Sequence, residues 1–182
     1  NSLKDMLSGG KSKMNITVKW DGAPAIFAGI NPENGKFFVA TKALFNKIPK
    51  INYTKADIDA NHGSGGPSDK IKVALKYLPD LGMKGIYQGD IMFSKNDLKQ
   101  QTIDDVNMLT FGPNTITYAV PEDSDLASQM RKAHLGVVWH TKYTGNTIDS
   151  LSAQFGVNAN IFNKTKNVWF DDAYVNTANA AT

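Results

Sequence analysis

Short apolar or alternating runs, bounded by turn residues, set the pattern of this chain. Ile16-Thr17-Val18-Lys19-Trp20 reads as a strand broken by Asp21-Gly22, and Ala25–Ala28 and Phe37–Ala40 read as two more. Between the latter two, the Asn34-Gly35 step of residues 31–36 predicts a hairpin turn. Further strands are predicted at Ile86–Phe93, Thr115–Val120, Leu135–His140 and near 166–170. Residues 2–8 read as the end of a helix stopped by Gly9-Gly10. Ser68 predicts the cap of a helix with Ile71, Ala74, Leu75 and Leu78 on one face. Asp123–Ala133, opened by acidic residues, reads as another helix, and a short one is predicted near 148–155. Residues 43–67 show no strong period and end in the glycine-rich run His62–Pro67, predicted to be a mobile loop. Strands in adjacent pairs interrupted by helices imply an α+β fold with mainly antiparallel sheets.

At 182 residues the chain fits one domain over 1–182, with a core from about 14 to 170, and 41% hydrophobic residues suffice for that core. Twenty basic and seventeen acidic residues leave a formal charge of +3, too mild to define a nucleic-acid binder. Local enrichment says more, because Lys42, Lys47, Lys50 and Lys55 follow one another closely. The absence of cysteine excludes disulfides and thiolate metal sites and suits a reducing cytoplasm. No apolar run reaches the roughly 18 residues of a membrane span, so no membrane partner is expected. His134 and His140 are six apart, a spacing that could set both on one sheet face, but no third ligand accompanies them. The His62–Pro67 run lacks the lysine and hydroxyl residue of a phosphate-binding P-loop.

Lys19 carries the most distinctive chemistry. A free lysine, with a pKa of about 10.4, is a neutral amine in only about one molecule in 2,500 at pH 7. Closing that gap of ~3.4 units requires roughly 4.6 kcal/mol of differential stabilisation. Burial in a strand and a neighbouring cation supply stabilisation of this kind. The activated amine can then attack phosphorus and form a covalent intermediate. Asp21 places an acceptor two residues on, and Gly22 lets a nucleotide approach the backbone.

In this setting Lys19-Trp20-Asp21-Gly22 resembles the nucleophile motif of the covalent nucleotidyltransferases, the superfamily of ATP-dependent DNA ligases, RNA ligases and mRNA capping enzymes. Val39-Ala40-Thr41-Lys42 resembles the basic position that follows. Tyr87-Gln88-Gly89-Asp90-Ile91 is similar to motif III, Thr117–Val120 to motif IIIa, and Lys164-Thr165-Lys166 before Trp169-Phe170 to motif V. Leu135-Gly136-Val137-Val138 has the body of motif IV, but leucine stands where the family has an acid that helps bind metal. The resemblance implies two antiparallel sheets enclosing a nucleotide cleft. It implies ATP and Mg²⁺ (or Mn²⁺) as cofactors and Lys19 as the catalytic residue. It assigns Trp20, Asp21, Gly22, Lys42, Asp90, Tyr118, Lys164 and Lys166 to the nucleotide, with Tyr118 stacking on adenine.

Asp90 is the expected metal ligand, standing in for the acid absent at Leu135. Lys47, Lys50 and Lys55 are expected to form the surface for nicked or single-stranded nucleic acid. About a dozen residues follow Phe170, so no oligonucleotide-binding barrel is expected in this chain. The run Lys19–Lys42, with Pro113–Ile116 and Gly136–His140, is also similar to an uncharacterised family of large tailed phages, notably those infecting cyanobacteria. That likeness implies a phage origin and the cytoplasm of an infected bacterium. Two other readings share these residues: a non-catalytic nucleotide- or nucleic-acid-binding phage protein, and a protein-modifying nucleotidyltransferase.

Overall fold

The computed structural model describes residues 17–19, 24–113 and 116–176. It is a mixed, sheet-rich α+β protein with three α-helices among those residues. Six strands form the main sheet: β2 (Ala25–Ile30), β3 (Phe37–Ala40), β4 (Ile86–Ser94), β8 (Leu135–Thr144), β9 (Ser152–Phe155) and β10 (Val168–Asp172). Its order is β10-β8-β4-β2-β3, and β9 pairs with the far half of β8. A second sheet joins β5 (Lys99–Ile103), β6 (Val106–Phe111) and β7 (Tyr118–Pro121), and a third joins β1 (Thr17–Lys19) to β11 (Tyr174–Asn176). All pairings are antiparallel except that of β10 with β8.

The two faces of the main sheet bury different partners. Ile26, Tyr87, Ile91 and Trp139 pack against Ile71, Ala74 and Leu78, which come from α2 (Pro67–Tyr77) and the turn after it. That is the apolar face expected of the helix, although its N-cap is Gly66 rather than Ser68. Ser68 instead donates its hydroxyl to the Gly65 carbonyl. On the opposite face Met92, Phe93, Val138 and Trp169 meet Leu109, Phe111, Tyr118 and Val120 of the three-stranded sheet. Ala127 and Met130 of α3 (Asp125–Lys132), a helix capped by the Ser124 hydroxyl, join them.

Several expectations need correction. Residues 43–67 are not one loop: a 3₁₀ turn spans Lys42–Phe45, and α1 spans Lys55–His62 with a Thr54/Asp57 capping box. Only Ile58 of α1 is buried, so the helix leaves almost no apolar period to read. The short helix expected near 148–155 is a 3₁₀ turn at Ile148–Ser150 followed by β9. The strand expected at Thr115 begins at Tyr118, and Thr115 lies outside the described residues, as do residues 2–10. The Asn34-Gly35 hairpin exists, but with a wider loop in which Asn34 and Gly35 both donate to the Asn31 carbonyl and only Gly35 takes positive φ. The tight two-residue hairpin lies elsewhere. Asp104 and Asp105, at φ 52° and 65°, join β5 to β6.

Positive φ at both central residues matches the twist of a hairpin, and aspartate tolerates it less well than glycine. Asp105→Gly should therefore raise the unfolding free energy by on the order of 0.5–1 kcal/mol, read as a higher chemical unfolding midpoint. A fall in that midpoint would show that the Asp105 side chain contributes more than its backbone conformation costs.

Candidate functional site

Strand pairing sets Asp90 and Asp171 in one row across the main sheet, with Lys164 and Lys166 before β10 and the partner strand of Lys19 after it. Lys19 closes β1 opposite Tyr174, which follows β10 after a single intervening residue. Trp20, Asp21 and Gly22 lie outside the described residues. The chain is fixed again at Pro24, whose carbonyl accepts from the Ile91 amide at 3.0 Å. Five extended residues span at most about 18 Å, so the Lys19 backbone lies within that distance of Pro24. Ala25 pairs with Asp90, Asp90 with Val138, and Val138 with Asp171. The two aspartates therefore share a face on either side of β8, with Cα atoms about 10 Å apart. Exposed Lys42 leaves the end of β3 just past the Phe27–Ala40 pair, toward the Ala25 end of β2.

Asp90 is not isolated. Its Oδ1 lies 3.6 Å from His140 Nε2, and His140 Nδ1 lies 2.6 Å from Thr141 Oγ1. A proton on Nε2 facing the carboxylate, with the Thr141 hydroxyl donating to Nδ1, satisfies both contacts. The register explains how His140 reaches Asp90. Gln88 opposes Thr141 while Gly89 opposes Trp139, so His140 is the extra residue of a bulge, which re-aims its ring. The expected shared face for the two histidines is thereby lost. His134 precedes β8 and stacks on Tyr77 of α2 at 4.4 Å, with ring planes 1° apart.

Beside Asp171 runs an open groove of about 570 Å³, walled by Leu126, Gln129 and Lys132 of α3, by residues 164–166 and by β10. It brings Lys164 and Lys166 together with Lys132, which sequence reasoning did not identify. Asp171 itself was also missed. Burial pushes its carboxyl up to about 6, and Asp172 adds to the rise. Lys164 and the Asp172 backbone N–H, which donates to Asp171 Oδ1 at 2.8 Å, pull the other way. A carboxylate poised near neutrality in a cationic groove is a mark of functional sites. The available signal was its position two residues after Trp169, on the same strand face.

Other expected residues are placed differently. Tyr118 is 2% exposed and its ring stacks on Phe111 at 5.5 Å, so it is part of the core rather than an open platform for adenine. Trp139 is fully buried, and Trp169, which lines the groove, stacks on Phe93. Leu135 is fully buried among apolar neighbours, so nothing at that position reaches the groove. Lys47, Lys50 and Lys55 are exposed. Lys50 donates to the Asn61 carbonyl near the C-terminus of α1, whereas Lys55 begins that helix. Lys50 and Lys55 thus reach opposite ends of α1.

Among the described residues no group of three or more His, Asp or Glu could hold a metal alone. Mg²⁺ commonly keeps several waters and takes one or two carboxylates plus substrate phosphates. Asp90 fits that more modest role. Among the described residues no helix is long and apolar enough to cross a membrane.

Fold and site together define a sheet-rich α+β protein with a lysine-lined groove and two aspartates on one face of the main sheet. The chain belongs to DUF6267, a family of unknown function, whose model matches residues 1–182. No curated protein and no solved structure matches it.

The Asp171 shift has a pH signature. An acid whose pKa is higher folded than unfolded destabilises the fold above the folded value and not below the unfolded one. Stability from this group is therefore lost as pH rises from about 4 to about 6. Asp171→Asn should raise the unfolding midpoint at pH 8 and change it far less at pH 4. An equal change at both pH values would show that the carboxyl is not perturbed.

Proposed function

We propose that this chain is a lysine-dependent nucleotidyltransferase of the polynucleotide-ligase kind, with Lys19 as the nucleophile and ATP as the nucleotide donor. The observation that carries the reading is the sheet face on which Asp90 and Asp171 flank β8, with Lys164 and Lys166 in the groove beside Asp171 and the partner strand of Lys19 following β10. The motif resemblance and this placement are independent of each other. One comes from residue order, the other from strand pairing.

In the first step the neutral Lys19 amine attacks the α-phosphorus. A P–N bond forms, the bond to the β-phosphate oxygen breaks, pyrophosphate leaves, and the amine proton passes to solvent. Lys164 and Lys166 stabilise the charge that grows on the phosphate oxygens. Asp90, with the His140 ring beside its carboxylate, would hold a Mg²⁺ ion, which would supply polarisation of the phosphoryl oxygens. Asp171 supplies the acid missing at Leu135, from the neighbouring strand. Trp20, Asp21, Gly22 and Lys42 complete the nucleotide contacts. Tyr118 is not used, because its ring is committed to the core. In the second step a polynucleotide 5′-phosphate oxygen attacks the lysyl-bound phosphorus and releases Lys19. A 3′-hydroxyl then attacks that 5′-phosphate, AMP leaves, and the nick closes.

One observation favours a second reading, a binder without turnover. The position of the family's metal-binding acid is occupied by a fully buried leucine.

Covalent labelling separates the two. Incubation with α-labelled ATP and Mg²⁺ or Mn²⁺, followed by denaturing electrophoresis, should give a labelled band whose intact mass is one AMP heavier. Lys19→Ala should abolish it, and full labelling of that variant would remove Lys19 from the mechanism. Asp90→Ala should lower labelling by about 10²-fold, the scale expected for a group that organises transition-state charge. Asp149→Ala, an exposed carboxylate outside the site, serves as the control. Equal labelling in both aspartate variants would exclude Asp90.

A further inference from the structure

We propose that a single strand of nucleic acid lies along a belt of basic residues that leaves the groove at Lys132 and Lys166, passes Arg131 and Lys95, and ends at Lys76 and the stacked Tyr77–His134 pair. The role of the groove rests on the nucleotidyltransferase reading; the belt itself is argued from charge and geometry.

Backbone contacts make the belt continuous. The segment carrying Lys164 and Lys166 ends at Asn167, whose carbonyl accepts from the His134 amide at 2.8 Å. The Lys95 amide in turn donates to the His134 carbonyl at 3.2 Å, and the Lys95 ammonium donates to the Arg131 carbonyl at 3.0 Å. Lys132, next to Arg131, lines the groove. On the far side of His134 a second cavity, of about 360 Å³, is lined by Lys76, Tyr77 and Lys95. Among the described residues Lys76, Lys95, Arg131, Lys132 and Lys166 form no ion pair with a carboxylate, whereas Lys70 of the same cavity is matched by Asp97 at 2.9 Å; Asp69 also lines that cavity, and Asp171 lines the groove with Lys164. Burial and the nearby charges of Lys95 and Lys76 hold His134 below its ordinary pKa, as a locally positive field requires.

The end of the belt selects among polyanions. Tyr77 and His134 form a flat aromatic pair at 4.4 Å, with the Lys76 ammonium 5.2 Å from the Tyr77 ring centre. Aromatic surfaces beside a cationic track are how proteins hold unpaired bases, each stacked base contributing about 1–3 kcal/mol. A duplex keeps its bases in its own stack and cannot use such a surface. Of the exposed lysines of residues 47–55, Lys50 reaches the C-terminal end of α1 and Lys55 begins that helix, so these two do not continue one track.

The test uses the full chain without ATP and reads the anisotropy of fluorescein-labelled oligothymidylate and oligouridylate across a salt series. Lys76→Glu with Lys132→Glu should weaken binding about tenfold or more at low salt. The log–log salt slope should flatten by about 1.4, at about 0.7 for each single-strand phosphate that is no longer neutralised. Lys47→Glu with Lys55→Glu should leave affinity within about twofold. If the reversal pair does not fold by circular dichroism, Lys76→Gln with Lys132→Gln should give the same ordering with a smaller loss. Absent binding by the unaltered chain, no loss in the belt variants, or an equal loss in the 47/55 variants would overturn the proposal. So would competition by polyglutamate as effective as that by unlabelled oligonucleotide, which would make the belt a general polyanion surface. Because no nucleotide donor is present, failure of Lys19 labelling would leave this result standing, and failure of binding would leave the labelling result standing.

Discussion

β4 and β8 pair with each other along most of their length, and each carries another strand on its outer side, so their ladder is the spine of the main sheet. Two of its positions admit no side chain. A Cβ on Gly89 would come within 2.4 Å of the Val138 carbonyl, and one on Gly136 within 2.2 Å of the buried Phe93 ring. Contacts that short cannot be absorbed in a closely packed interior without moving the strands. The ladder also contains both register irregularities of the sheet, one at His140 and one at Met92. The spine is therefore tightly packed yet locally bent, and both properties act at the candidate site. Gly89 precedes Asp90, and the bulge turns His140 toward it.

From this spine the site's charge distribution follows. Val138 sits on the midline, and the strands to either side place Asp90 and Asp171 on the same face. The two carboxylates live in different surroundings. Asp90 faces an imidazole, whereas Asp171 is half-buried against the groove with a second carboxylate beside it.

The strands of the main sheet were legible because their apolar runs are long and buried on both faces, as in Ile86–Phe93 and Leu135–His140. Elements with little buried surface were not. β5 and β9 are mostly exposed and rich in polar residues, and the turn before β6 contains no glycine, so neither the run nor the turn carried a signal. α1 failed to register for the same reason. At the site, Lys164 and Lys166 could be read from their motif-like order, but Lys132 and Asp171 depend on which elements pack together. Tyr118 shows the reverse limit, since an aromatic in the right order along the chain can still be spent on the core.

The pairing of β1 with β11 bears on when the Lys19 backbone is held in place. Lys19 is among the first residues of the described chain to be synthesised, yet the strand that seats it, Tyr174–Asn176, is among the last. Contacts so distant in sequence form only after the loop between them has been closed, and three residues on each side give the pair little stability of its own. A nascent or truncated chain could complete the β4–β8 spine and still lack the strand that positions Lys19. The ladder that fixes the Lys19 backbone is therefore completed only after residue 176 has been made.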